Sequence, residues 1–203
     1  MHIACLDFEG VLIPEMWIAV ADKYGVDGLR VTTRDIPDYR ELMMVRLRVM
    51  DQHGLTLNDI RAAVAELEPL PGAADFVDWL RGRCQIAIIS DTFYEFAEPM
   101  VKALGWPMLL CHRLDVDAKG KVLGIRLRQD DPKRHSVLAF QSLKYKVVAV
   151  GDSYNDATML KSADAGILYR PPQRVIDDFP ELPVAQSYDD LKRFFSASAQ
   201  RFG

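Results

Sequence analysis

The stretch IACLDFEGVLIPE, residues 3–15, decides the fold. Its opening apolar run has no polar alternation, which predicts a strand covered on both faces, the kind from which parallel sheets are built. The run ends in two carboxylates one residue apart, Asp7 and Glu9, followed at once by Gly10. Each acid is costly to desolvate there unless it is paired or bound to a cation. Ligands of open α/β sheets bind at the carboxyl ends of the strands, so the partners of Asp7 and Glu9 are to be sought at other strand ends.

Working outward, HIACLDF (2–8), QIAIISD (85–91), KVVAVGD (146–152) and AGILY (165–169) are all short apolar runs bounded by polar or turn residues. Between them GAADFVDWLRGR (72–83), YEFAEPMVKALG (94–105) and PKRHSVLAFQSLKY (132–145) carry helical periodicity. Strands alternating with helices predict an α/β fold, a Rossmann-like parallel sheet with helices on both faces. Residues 15–68 break the alternation with three helical patterns, EMWIAVADKYG, DYRELMMVRLRVMDQHG and TLNDIRAAVAEL. Thr56 and Asp59 form a capping-box pattern, and Gly25 and Gly54 are helix stops. The expected organisation is a core from 1–14 and 71–203, with a small helical cap inserted at 15–70. RLDVDAKGKVLGIRL (113–127) predicts a β-hairpin turned at Gly120, and the tail is expected to form a short helix with a frayed end.

Bulk properties exclude several classes. At 203 residues the chain suits one sizeable core plus an accessory unit. A net charge of -4 gives no reason to expect nucleic acid. No apolar run approaches a membrane span, and the N-terminus enters a strand without a basic leader, so a membrane or an export route is not expected. Three cysteines, Cys5, Cys84 and Cys111, without metal-ligand spacing fit a reducing cytoplasm. Cys5 is a strand filler. His2, His53, His112 and His135 lack metal spacing and are given no role. A homodimer is the default oligomer.

Four polar clusters fall at expected strand ends or helix starts: Asp7 with Glu9, Ser90 with Asp91, Lys133, and GDSYND at 151–156. Neighbouring strands would bring Asp7 and Asp152 together, and oxygen-only ligands of that kind suit Mg²⁺. In this order the clusters resemble the haloacid dehalogenase superfamily, with DFEGV (7–11), Ser90, Lys133 and GDSYND as its four motifs. The departure is Glu9, where most members carry aspartate.

That resemblance implies roles residue by residue. Asp7 would attack phosphorus and form an aspartyl-phosphate, while Glu9 would protonate the leaving alcohol and then activate the incoming nucleophile. Asp7, the Glu9 main-chain carbonyl and Asp152 would hold Mg²⁺. Ser90, Asp91, Lys133 and Asn155 would meet the substrate, and Asp156 would support Lys133 or a metal-bound water. The helical insert is similar to that of the phosphoserine phosphatases. Glu15 would meet the substrate ammonium and Arg46 its carboxylate, with Arg48 the other candidate. DFEGV with glutamate, SDTF (90–93) and GDSYND resemble the branch that also transfers the phosphoryl group to homoserine. A phosphatase for another small phosphomonoester is the alternative. A receiver-type phospho-acceptor module shares the acid, hydroxyl and lysine but does not carry a helical insertion after its first strand.

Overall fold

The computed structural model describes residues 1–202 other than Arg34 and Pro37. In chain order the elements are β1 (His2–Leu6), α1 (Met16–Tyr24), α2 (Tyr39–Gln52), α3 (Leu57–Val64), α4 (Ala73–Arg81), β2 (Gln85–Phe93), α5 (Tyr94–Ala103), β3 (Met108–Val116) and β4 (Val122–Arg126). They continue with α6 (Pro132–Ser142), β5 (Lys146–Gly151), α7 (Ala157–Ser162), β6 (Ala165–Tyr169), α8 (Gln173–Asp178), β7 (Val184–Ala185) and α9 (Tyr188–Phe202).

The described strands form one sheet in the order β4-β3-β2-β1-β5-β6-β7. Every neighbouring pair is parallel except β3 with β4. The chain leaves β1 for β2 on one side and returns to β5 on the other, so β1 flanks the switch point where α/β sheets open a ligand crevice. Side-chain alternation along β1 separates two apolar clusters. Ala4 and Leu6 join Phe76, Leu80 and Phe195 on one face, while Ile3 and Cys5 join Val137, Met159 and Leu160 on the other.

The described residues of 15–70 contribute α1, α2 and α3 and no strand of the sheet. Gly25 caps α1 in the left-handed conformation, and the Thr56–Asp59 capping box opens α3. Buried Val20, Met43, Met50 and Ile60 of these helices belong to the same apolar cluster as Phe96 and Leu114 of the sheet layer. Polar contacts add to that packing: the Leu57 N–H donates to the Gly120 carbonyl at 2.8 Å, and Arg61 Nε donates to the Glu95 carbonyl at 2.7 Å.

Three expectations are corrected by the geometry. The segment read as the first hairpin arm starts earlier, at Met108, because its first half pairs parallel to β2 before the second half pairs antiparallel to β4. The tail is not a short helix: α9 spans fifteen residues and buries Leu191 and Phe195 against the sheet. The first and fifth strands end at Leu6 and Gly151, so Asp7 and Asp152 stand just beyond the ladder, whereas β2 continues past Asp91 to Phe93.

Candidate active site

Asp7 leaves β1 with its N–H donating to the Val150 carbonyl at 2.9 Å, which fixes it beside the end of β5. Its Oδ1 accepts from the Phe8 N–H at 2.8 Å and lies 2.8 Å from Lys133 Nζ. Lys133, in the first turn of α6, is almost fully buried and also contacts Asp156 Oδ1 at 2.7 Å. Of the basic trio at 133–135 it is therefore the one that faces inward; Arg134 and His135 are exposed. Burial alone would lower the lysine, but Asp156, Asp7 and Asp91 outweigh it and hold the ammonium charged.

Asp152 follows β5, and Asp156 closes a capping box onto that turn: its Oδ2 accepts from the Asp152 and Ser153 N–H groups at 2.9 and 3.1 Å. Gly10 has φ +78, and a Cβ there would sit 2.7 Å from Asp152 Oδ2. Glycine thus supplies both the left-handed turn after Glu9 and the room for the Asp152 carboxylate.

One carboxylate oxygen each from Asp7, Asp152 and Asp156 lies within 4.8 Å of the others. Burial and Asp156 push both Asp7 and Asp152 up, Asp152 to about 7, with Lys133 opposing. Three buried acids with one oxygen each this close together fit a hard divalent cation, which takes oxygen ligands. The side chain of Glu9 lies outside this trio; the ligand expected from Glu9 is its main-chain carbonyl.

Glu9 is oriented instead toward the insert, with Oε1 accepting from the Met16 N–H at 2.7 Å in the first turn of α1. Burial and the charge of Glu15 push its carboxyl up to about 8, against the pull of the Met16 N–H and Arg46. A carboxyl group with that pKa carries its proton at neutral pH, as a general acid must.

β2 holds an irregularity that the sequence did not signal. Ile89 pairs with Leu110 and Phe93 with His112, so four residues of β2 cover two of β3. This bulge lifts Ser90, Asp91 and Thr92 out of regular register, a common way of aiming side chains into a site. Asp91 Oδ2 accepts from Asn155 Nδ2 at 3.0 Å and lies 4.0 Å from Lys133 Nζ, while Oδ1 is 3.4 Å from His112 Nε2. Burial would raise Asp91, but Lys133 and the hydrogen bonds of His112 and Asn155 win and bring it down to about 2.

From the insert, Glu15 and Arg46 line the same small cavity of about 70 Å³ as Asp7, Glu9, Ser90 and Lys133. Arg46 is 5% exposed, Arg48 is exposed, and this decides between the two arginines. The Arg46 guanidinium donates to the Val31 carbonyl at 2.7 Å and lies 4.9 Å from the Trp17 ring centroid, yet its buried Nε has no partner among the described residues. An unpaired buried donor is costly and marks a place for an acceptor. Nine of the ten expected site residues line this cavity, and Asp156 lies directly behind it.

Residues at the site without a sequence expectation include Tyr39, on the cavity wall, and His112. Tyr39 opens α2 and its hydroxyl donates to the Asp91 carbonyl, tying the insert to the bulge. His112, given no role, is buried beside Asp91. Neither has a local sequence signal: His112 pairs with Phe93 at the end of the β2 irregularity, and the Tyr39 hydroxyl meets the Asp91 carbonyl within it. A larger cavity of about 320 Å³, lined by Ile3, Trp79, Cys84 and Phe195, lies by the amino ends of the strands, away from these groups.

The haloacid dehalogenase-like hydrolase family matches residues 3–164. Phosphoserine phosphatase ThrH of Pseudomonas aeruginosa is 58% identical over 201 residues, covering 99% of this chain and 98% of the relative. A phosphoserine phosphatase of Pseudomonas syringae pv. tomato is 57% identical over 201 residues, covering 99% of this chain and 85% of the relative. A solved phospho-aspartyl intermediate analogue of phosphoserine phosphatase shares the fold, with a TM-score of 0.78 over 95% of this chain and 98% of that one at 18% identity. With its four motifs gathered at strand ends and the start of α6, and the family match running from β1 through α7, the chain belongs to the haloacid dehalogenase-like hydrolases.

Proposed function

We propose that this hydrolase is a phosphoserine phosphatase, cleaving O-phospho-L-serine to L-serine and phosphate, and that L-homoserine can replace water as phosphoryl acceptor. The observation that carries the substrate class is the buried Arg46 guanidinium with an unpartnered Nε, lining the same cavity as Glu15 and Asp7. A guanidinium and a carboxylate at that spot suit the carboxylate and ammonium of an amino acid head group. The two Pseudomonas relatives named phosphoserine phosphatase support the same reading.

In the first half-reaction an Asp7 oxygen attacks phosphorus, the bond from phosphorus to the serine oxygen breaks, and the Glu9 proton passes to that oxygen. In the second, ionised Glu9 takes a proton from water or the homoserine hydroxyl, whose oxygen attacks phosphorus and frees Asp7. Lys133, Ser90 and the Asn155 amide serve the phosphoryl oxygens as preorganised donors. Mg²⁺ held by Asp7, Asp152 and the Glu9 carbonyl would offset phosphate charge as a Lewis acid. The reading includes small-molecule substrates only, a cytoplasmic setting and a cap at 15–70 that covers the substrate; no helix of the described residues is long and apolar enough to cross a membrane.

Incubation with phosphoserine and Mg²⁺, with and without homoserine, tests the proposal by product analysis. Phosphate in both reactions and phosphohomoserine in the second are expected. Phosphate alone removes the transferase half; a better ester without an amino acid head group removes the substrate assignment.

A further inference from the structure

His112 is buried on β3, with its ring against both Tyr39 and Phe93 at centroid distances of 5.9 and 6.0 Å. Its Nδ1 accepts from the main-chain N–H of Arg128 at 3.2 Å. The ring proton is thereby placed on Nε2, and Nε2 faces Asp91 Oδ1 at 3.4 Å. Across the carboxylate, Oδ2 accepts from Asn155 Nδ2 at 3.0 Å, and the Asn155 carbonyl oxygen accepts from the Ser153 hydroxyl. These two bonds fix which way the amide points.

Lys133 does not set the position of Asp91. It is committed to Asp7 and Asp156 at 2.8 and 2.7 Å and reaches Asp91 only at 4.0 Å. Among the described residues, the side chains nearest this carboxylate are Asn155 at 3.0 Å and His112 at 3.4 Å. An amide has two N–H donors, so with one on Asp91 the second is left for an oxygen in the cavity that both residues line.

We propose that His112 is a positioning residue for phosphoryl transfer: through Asp91 it orients the Asn155 amide so that one N–H meets the phosphoryl group. The inference rests on the phosphoryl-transfer reading above and assigns a role to Asp91 beyond substrate contact. Preorganised donors act most on the transition state, so the loss of His112 falls on kcat more than on KM.

Two substitutions separate positioning from packing. An asparagine at 112 can accept from the Arg128 N–H as Nδ1 does but is too short to reach Asp91, whereas a glutamine extends an N–H toward Asp91 as Nε2 does. His112→Asn should lower kcat about tenfold or more with KM within about threefold, and His112→Gln should stay within about threefold of wild type in both. In an Asp91→Asn background, His112→Asn should cost nothing further, because residues acting as a unit are non-additive. Equal effects of the two substitutions, or an undiminished His112→Asn effect in that background, would overturn the proposal. Thermal melts accompany each variant. Should either histidine variant fail to fold, Asp91→Asn alone decides: it must itself lower kcat about tenfold, and wild-type kcat there overturns the inference. Running phosphoserine and para-nitrophenyl phosphate in parallel keeps the comparison readable if the substrate assignment fails, since that failure shows in the wild-type protein.

Discussion

At the scale of single residues, the question is what a glutamate does where most of the family carries aspartate. Glu9 is one methylene longer, about 1.5 Å more reach. That length is used: Oε1 ends on the Met16 N–H at 2.7 Å, at the start of the first helix of the insert. Glu9 is therefore anchored to the insert, while Asp7 two residues earlier is anchored to β5 through the Val150 carbonyl. Burial and Glu15 keep Glu9 protonated at neutral pH, with a pKa of about 8, the state that the proposed role as an acid requires. Glu9→Gln retains an acceptor oxygen for the Met16 N–H but cannot cycle a proton. Turnover of phosphoserine should fall by about 10² to 10⁴, with binding retained, as measured by steady-state rates beside product inhibition by serine. Wild-type turnover in that variant would remove Glu9 from the proton path.

Elements show where the sequence was legible and where it was not. Strands β1, β2, β5 and β6 were readable because each is an apolar run in a sheet covered on both faces. The three helices of the insert were readable from their periodicity and from local stops such as Gly25 and Thr56. The two-residue strand β7 is too short to carry a pattern, and the first half of β3 was hidden because its partner, β2, is distant in sequence. The bulge at 90–92 had no signal either, since a register shift is a property of a strand pair. Asp7, Ser90, Lys133 and Asp152, expected from motif order at strand ends and a helix start, line one cavity, whereas His112 and Tyr39, which contact Asp91 in the bulge, have no motif to announce them. The capping box of α3 gives this scale its own test. Thr56 donates its N–H to Asp59 Oδ2 at 2.8 Å, next to the contact of Leu57 with the β3–β4 turn. Thr56→Ala should cost about 1 kcal/mol, lowering the melting temperature by about 2–4 °C for a chain of this size. The kcat should be unchanged, because Thr56 is absent from the cavity wall; a loss of activity without a fall in melting temperature would contradict a purely local capping role.

For the molecule as a whole, one apolar cluster runs from α1, α2 and α3 through the helices α4 and α9 onto one face of the sheet. A continuous core favours unfolding in a single transition, even though the insert and the sheet have separate secondary structure. The acid cluster opposes that stability, because six carboxyl groups, those of Asp7, Glu9, Glu15, Asp91, Asp152 and Asp156, gather where the described cavity wall supplies Lys133 and Arg46 as cations. A divalent cation bound by the folded chain alone should relieve the repulsion among Asp7, Asp152 and Asp156 and stabilise both layers together. At about 100 times its Kd a folded-state ligand adds about 2.7 kcal/mol. Protein stripped with EDTA should therefore melt in one transition at a lower temperature than protein in excess Mg²⁺, and Asp152→Asn should lose most of that difference. Calorimetry and circular dichroism should report the same midpoint. An Mg²⁺-independent midpoint would argue against a cation at the three acids, and two separate transitions would show that the shared apolar cluster does not couple the insert to the sheet.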